Sequence, residues 1–188
     1  MVINTEIHNA YEVIKNGGII LYPTDTVWGI GCDASNEEAV AKIYALKQRE
    51  ESKSMICLMN GEKMMYNVFT KIPEVAWEIL DNSERPTTLI LDQPKNVAKN
   101  IIAEDNTLGI RLVNEPFCFK LMERMKRPLV STSANISGQP TPMNFKEISQ
   151  EIIKGVDYVV NLHHDKVCKK PSAIIKLTLD SQVKVIRR

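Results

Sequence analysis

Histidine is scarce in this 188-residue chain, and the catalytic templates that need it are missing. Only His8, His163 and His164 occur. The last two lie in the polar stretch HHDKVCKK, which reads as a solvated loop rather than a metal-ligand spacing. A Ser-His-Asp hydrolase would need a G-x-S-x-G elbow, which is absent. The phosphate loop G-x-x-x-x-G-K-[ST] is absent too, and Gly29-Ile-Gly31 lacks the third glycine of a dinucleotide loop. Cys32, Cys57, Cys118 and Cys168 form no C-x-x-C pair, which excludes a zinc knuckle or redox dithiol and leaves reduced, structural thiols. No apolar run approaches the ~20 residues of a membrane span. The N-terminal MVINTEIHNAYEVIKNGG has no signal-peptide core, so a cytoplasmic protein without membrane contact is expected. An excess of either charge is lacking: 24 Lys and Arg against 23 Asp and Glu give +1. Attraction to a polyanion must therefore come from local clusters. An enzyme of this composition works without a histidine base or an activated thiol.

What is present is an ordinary globular pattern, with 44% hydrophobic and 25% charged residues. No internal repeat or low-complexity linker divides it, so residues 1–188 are expected to form one domain. A first helix is predicted from His8 to Lys15, stopped by Asn16-Gly17-Gly18, and a strand over Ile19–Tyr22 follows. Ser35-Asn-Glu-Glu38 reads as a capping box opening a helix from Asn36 to Arg49. Further strands are expected at Met55–Met59, Thr88–Leu91, Leu108–Val113, Leu129–Thr132, Tyr158–Val160, Ala173–Leu177 and Val183–Ile186. Helices near Val75–Leu80 and Pro116–Met125 interleave with them. This alternation points to an α/β fold with a mixed sheet and flanking helices.

Three polar clusters stand at the ends of these elements. In YPTDTVWGIG, Tyr22 to Gly31, a proline fixes the turn before Thr24-Asp25-Thr26, and two glycines remove side chains that would obstruct a ligand. A tight strand connection explains the same residues. Lys47-Gln48-Arg49, with Lys53, is a basic cluster at a helix end, or a solvated charged face. Ser131-Thr-Ser-Ala-Asn135 with Thr141 places hydroxyl and amide groups beyond an apolar strand, where α/β sheets bind ligands.

Together and in this order, the three clusters resemble the YrdC-type family, the L-threonylcarbamoyl-adenylate synthases. The resemblance spans nearly the whole chain. The family's P-T-[ED]-T-x-x-G-[LI]-G is matched by Pro23–Gly31, its K-x-R by Lys47-Gln48-Arg49 and its S-x-N by Ser133-Ala134-Asn135. Arg111 in GIRLV, Pro171-Ser172 and Arg187 are weaker matches. Departures are present as well. Glu50 and Ser54 replace two prolines after K-x-R, Leu58 replaces a histidine held against the amino acid, and Glu84–Thr88 replaces P-G-P-L-T.

The fold implied is a twisted mixed sheet with a concave basic surface, in the short form without a second domain. The reaction implied joins L-threonine, bicarbonate or CO2, and ATP into threonylcarbamoyl-AMP and pyrophosphate, the first step of tRNA threonylcarbamoyladenosine modification. Lys47, Arg49, Ser133 and Asn135 would be catalytic. Arg49, Lys53, Thr107, Ser133, Thr141 and Arg187 would line the ATP side, and Thr26, Arg111, Ser131 and Ser172 would receive threonine. Mg²⁺ would arrive on the triphosphate, touched at most by Ser133 or Asn135. The product would pass to a downstream threonylcarbamoyl transferase, with tRNA contact on the basic concave face. Two rivals share these motifs: a double-stranded RNA-binding module without turnover, and a carbamoyl-transfer domain like that of hydrogenase maturation proteins. The latter normally sits in a longer chain with zinc-finger-like cysteines.

Overall fold

A computed structural model describes residues 2–50, 55–168 and 171–188. In chain order these form α1 (Val2–Lys15), β1 (Ile20–Tyr22), β2 (Gly29–Gly31), α2 (Glu37–Lys47) and β3 (Ile56–Met59). Then come α3 (Glu62–Val68), α4 (Glu74–Asp81), β4 (Thr87–Asp92), β5 (Thr107–Leu112) and α5 (Pro116–Met125). The chain closes with β6 (Leu129–Ser133), α6 (Gln150–Gly155), β7 (Tyr158–Val159), β8 (Ala173–Leu177) and β9 (Val183–Arg187).

The strands make one sheet of nine, ordered β7-β1-β2-β6-β3-β5-β4-β8-β9. It is mixed: β1 runs parallel to β7, β3 to β5 and β4 to β8, while the other pairs are antiparallel. Side chains alternate across a strand, so residues opposite one another share a face. Cys57, Ile110, Val130 and Leu89 fall on one face and are fully buried. Helices α1 and α5 pack on each other, α1 also on β1 and α5 on β3.

Several elements differ from the sequence expectation, each for a local reason. Helix α1 starts at Val2 because its inward face, Ile7, Ala10 and Ile14, is joined by a buried Glu6. That carboxylate accepts from the Tyr158 hydroxyl and the Asn161 amide, each at 2.8 Å. A charged residue on the core side thus masks the helical period. The cap of α2 is Asn36, whose side chain accepts from Ala39 N. Ser35 instead donates to Asp33 at 2.7 Å. The helix ends at Lys47 rather than Arg49 because Gln48 turns left-handed, with φ 50°. Strand β2 and helices α3 and α6, all short, carry too little periodicity to be read.

Gly31 is a packing requirement rather than an open floor for a ligand. A Cβ there would overlap the Val130 carbonyl oxygen and stand 2.8 Å from Tyr22 Cε1. Gly31→Ala is expected to lower stability by about 3 kcal/mol, read by urea unfolding, because β6 must retreat. Gly29, in contrast, opens toward Ser131 Oγ at 3.2 Å, which a Cβ would crowd.

Candidate active site

On the opposite face of the sheet, the pairing register places the chemistry. Arg187 stands opposite Ile174, and Ile174 opposite Thr88. Arg111 is opposite Leu58, Ser131 opposite Ile56, and Ser133 opposite Gly29. Arg187, Ile174, Thr88, Arg111, Ile56, Ser131, Ser133 and Gly29 converge from seven strands on a cavity of about 280 Å³. The loop after β1 supplies Thr24, Thr26 and Trp28 to its wall, and Arg49 and Thr141 enter from other loops.

Arg111 is the most constrained cation here. It is 4% exposed, and its Nη2 donates to Asp25 Oδ1 at 2.8 Å. Its Nε–H is buried and has no hydrogen-bond partner among the described residues. A buried donor left unpaired costs about 1–3 kcal/mol, so this side chain gains strongly from an anionic oxygen brought beside it. Arg187 lies across β8, with Nε and Nη2 donating to the Ser172 carbonyl at 3.0 and 2.8 Å. Burial, then the charges of Arg85 and Arg111, push its guanidinium below its ordinary pKa, and burial does the same to Arg49. Arginines short of solvation remain charged but are relieved by an arriving polyanion. The described residues lining the hollow include Arg49, Arg111 and Arg187 and no carboxylate.

Hydroxyls complete the lining. Thr88 Oγ1 and Ser172 Oγ share a hydrogen bond of 2.8 Å, although 84 residues separate them in sequence. Thr24 and Thr26 meet at 3.1 Å. Ser131 also lines the cavity, beside the buried Tyr22, whose hydroxyl donates to the Val130 carbonyl at 3.0 Å.

Lys47 requires a correction. It is 1% exposed and does not line the cavity. Its Nζ donates to the carbonyl oxygens of Ser133 and Asn135, each at 2.5 Å, and its own carbonyl accepts from Ser137 N at 2.8 Å. Lys47 clamps α2 to the turn after β6 and stands outside the lining of the hollow. Burial, with the nearby Arg49 charge second, lowers its pKa from 10.5 to about 7. Because the chain reverses at Gln48, Arg49 turns away from Lys47 and lines the hollow instead.

Asn135 also stands behind the wall. Its Oδ1 accepts from Ser133 Oγ, and its Nδ2 donates to the carbonyls of Ile136 and Gln139 at 3.1 and 2.7 Å. With both amide hydrogens spent on the turn and Oδ1 holding the Ser133 hydroxyl, Asn135 positions Ser133 and stays outside the lining. Thr107 is placed elsewhere as well, at the far end of β5 from Arg111, donating to Asp105 Oδ1 at 2.7 Å and absent from the lining. Lys53 lies outside the described residues. Thr26, Arg49, Arg111, Ser131, Ser133, Thr141, Ser172 and Arg187 do meet around one hollow.

Sequence reading singles out Thr24 and Asp25 with Thr26 as a polar turn but gives neither a role of its own, and it gives none to Thr88. The first two lie in the quoted turn and only their contacts reveal them. Thr88 faces the cavity because β4 is sandwiched between β5 and β8, which no local pattern encodes.

Residues 12–188 match the family model Sua5/YciO/YrdC, described as telomere recombination. The threonylcarbamoyl-AMP synthase of Pseudoalteromonas translucida is 33% identical over 155 residues, covering 81% of this chain and 83% of that protein. The crystal structure of P. abyssi Sua5 complexed with L-threonine superposes with a TM-score of 0.80 at 26% identity. That match covers 91% of this chain and 50% of the Sua5 chain, so the present sequence spans about half its length. The crystal structure of E. coli YciO gives a TM-score of 0.83 at 26% identity over 97% of this chain and 88% of that one. With the family model spanning most of its length and its cavity built on the family's motif residues, the chain belongs to the Sua5/YciO/YrdC family.

Proposed function

We propose that this chain is a threonylcarbamoyl-AMP synthase, forming L-threonylcarbamoyl-AMP and pyrophosphate from L-threonine, bicarbonate or CO2, and ATP. The observation that carries this reading is Arg111, buried at the wall of a hydroxyl-lined hollow with an unpaired Nε–H. The named synthase relatives and the threonine-bound Sua5 support it.

The chemistry suits a site with neither a histidine base nor a reactive thiol. The amine of threonine and CO2 form a carbamate without an enzyme nucleophile. Its carboxylate oxygen then attacks the α-phosphorus of ATP, forming the mixed anhydride as the bond to pyrophosphate breaks. Both reactants are anions, so alignment and fixed positive charge supply the catalysis. Arg111 takes the threonine α-carboxylate while Asp25 holds it in place. Arg49 and Arg187, both short of solvation, face the phosphates, and Ser133, whose one hydrogen goes to Asn135 Oδ1, offers lone pairs to the ion they carry. Lys47 and Asn135 keep Ser133 there from behind.

Mg²⁺ belongs to this reading as an ion carried in on the triphosphate, where it screens the phosphate charge. The lining fits that role: no group of three or more His, Cys, Asp or Glu side chains converges among the described residues. The Ser133 hydroxyl would be its protein oxygen, since Ser133 lines the hollow and Asn135 does not. The product is a reactive anhydride that a downstream tRNA-modifying transferase would consume, in the cytoplasm, with tRNA contact near the arginine-lined mouth.

Incubation with ATP, Mg²⁺, bicarbonate and single amino acids tests this. Pyrophosphate release is expected only when threonine and bicarbonate are both present, with an AMP-linked product. Release independent of threonine, or salt-sensitive RNA binding with no turnover, overturns it.

A further inference from the structure

Thr26 faces the cavity from the turn between β1 and β2, and Thr24 decides what its hydroxyl can do there. A threonine hydroxyl has one hydrogen and two lone pairs. Thr24 Oγ1 donates that hydrogen to the Val27 carbonyl at 2.7 Å. It accepts from the Thr26 backbone N–H at 3.0 Å. Its third neighbour is the Thr26 hydroxyl at 3.1 Å, where geometry alone allows either direction. The Val27 contact removes the ambiguity. If Thr24 gave its hydrogen to Thr26, two oxygens would stand 2.7 Å apart with nothing between them. The bond must therefore run from Thr26 to Thr24, which leaves Thr24 saturated and turns the Thr26 hydrogen away from the hollow. Only lone pairs of Thr26 remain to face a ligand, and no other protein donor reaches them among the described residues.

We propose that Thr24 is a positioning residue that fixes Thr26 as an acceptor-only wall of the amino-acid site, so that the substrate must bring a hydroxyl donor to it. The proposal rests on the synthase reading above. It assigns selection of a hydroxy amino acid to a proton direction set one turn away. A site built around a committed acceptor rejects an isostere that cannot donate, because the acceptor is then left unpaired.

Steady-state kinetics with L-threonine and with L-valine, its isostere lacking the hydroxyl, test this in the unaltered protein, Thr24→Val and Thr24→Ser. Thr24→Val frees the Thr26 hydroxyl to rotate. Its threonine KM is expected to rise about tenfold and its preference for threonine over valine to fall about tenfold, with kcat and the ATP KM within about twofold. Thr24→Ser, which retains the hydroxyl, restores both. Thermal melting accompanies each variant. Should Thr24→Val not fold, Thr24→Ala against Thr24→Ser makes the same comparison without the added methyl.

An unchanged preference overturns the proposal. So does an equal rise for threonine and valine, which would place the substrate nitrogen at Thr26, or equal damage in the serine variant, which would mark Thr24 as merely structural. Failure of the unaltered protein to turn over threonine overturns the synthase reading instead, and is thereby distinguished.

Discussion

Arg111→Ala is expected to raise the KM for threonine about a hundredfold while leaving that for ATP within about twofold. Truncating one partner of a buried, hydrogen-bonded charge pair costs about 2–5 kcal/mol, much of it from the charge left behind. Here that charge is Asp25, whose Oδ1 would lose its 2.8 Å donor. The threonine carboxylate would face that unpaired carboxylate instead of a guanidinium. Arg111→Lys keeps a positive charge but not the fork that reaches Asp25 and ligand together, so it should recover little. Isothermal titration of threonine, with and without ATP, measures the effect. An equal loss of ATP affinity would show that Arg111 serves the phosphates and sink its assignment to the amino acid.

Lys47→Met should reduce turnover about a hundredfold without removing any group that touches substrate, the size seen when a preorganised donor is displaced. The carbonyls of Ser133 and Asn135 lose their shared donor, and the turn that presents Ser133 is released. The variant also has a pH signature. In the unfolded chain Lys47 holds its proton to about its ordinary 10.5, whereas in the folded protein burial brings release down to about 7. Between these values the unfolded state binds more protons, so stability rises with pH. The buried charge thus opposes folding fully below the folded value, and that penalty is relieved as pH rises through the window. Relative to Lys47→Met, the unaltered protein should gain about 1.4 kcal/mol per pH unit there, read by urea unfolding. A flat difference across that range would mean that Lys47 is not desolvated as the structure has it.

Arg111 and Lys47 also show where the sequence was legible and where it was not. Both were singled out by type, and Arg111 reached the cavity as expected. Lys47 did not, because K-x-R names two cations without saying where either one points. Whether they point together depends on one backbone angle at Gln48, whose left-handed turn sends Arg49 to the hollow and leaves Lys47 behind the wall. Asn135 stands behind the wall in the same way: an amide has as many uses in a turn as at a phosphate, and here the turn takes both of its hydrogens. Thr107 shares a strand and a face with Arg111, yet stands four residues along it, roughly 13 Å at strand rise.

The sequence by itself determined the α/β class, most of the strands, the scarcity of histidine, and the family to which three short motifs belong. These are local properties, written in hydrophobic period, turn residues and residue type. Only the tertiary structure decided that Thr88 meets Ser172, that Asp25 holds Arg111, that Lys47 clamps Ser133, and which way the Thr26 hydrogen points. Each of these depends on the crossover order of the sheet or on the last contact made by a hydroxyl or ammonium group. Such contacts join residues far apart in the chain, and no stretch of sequence carries them alone.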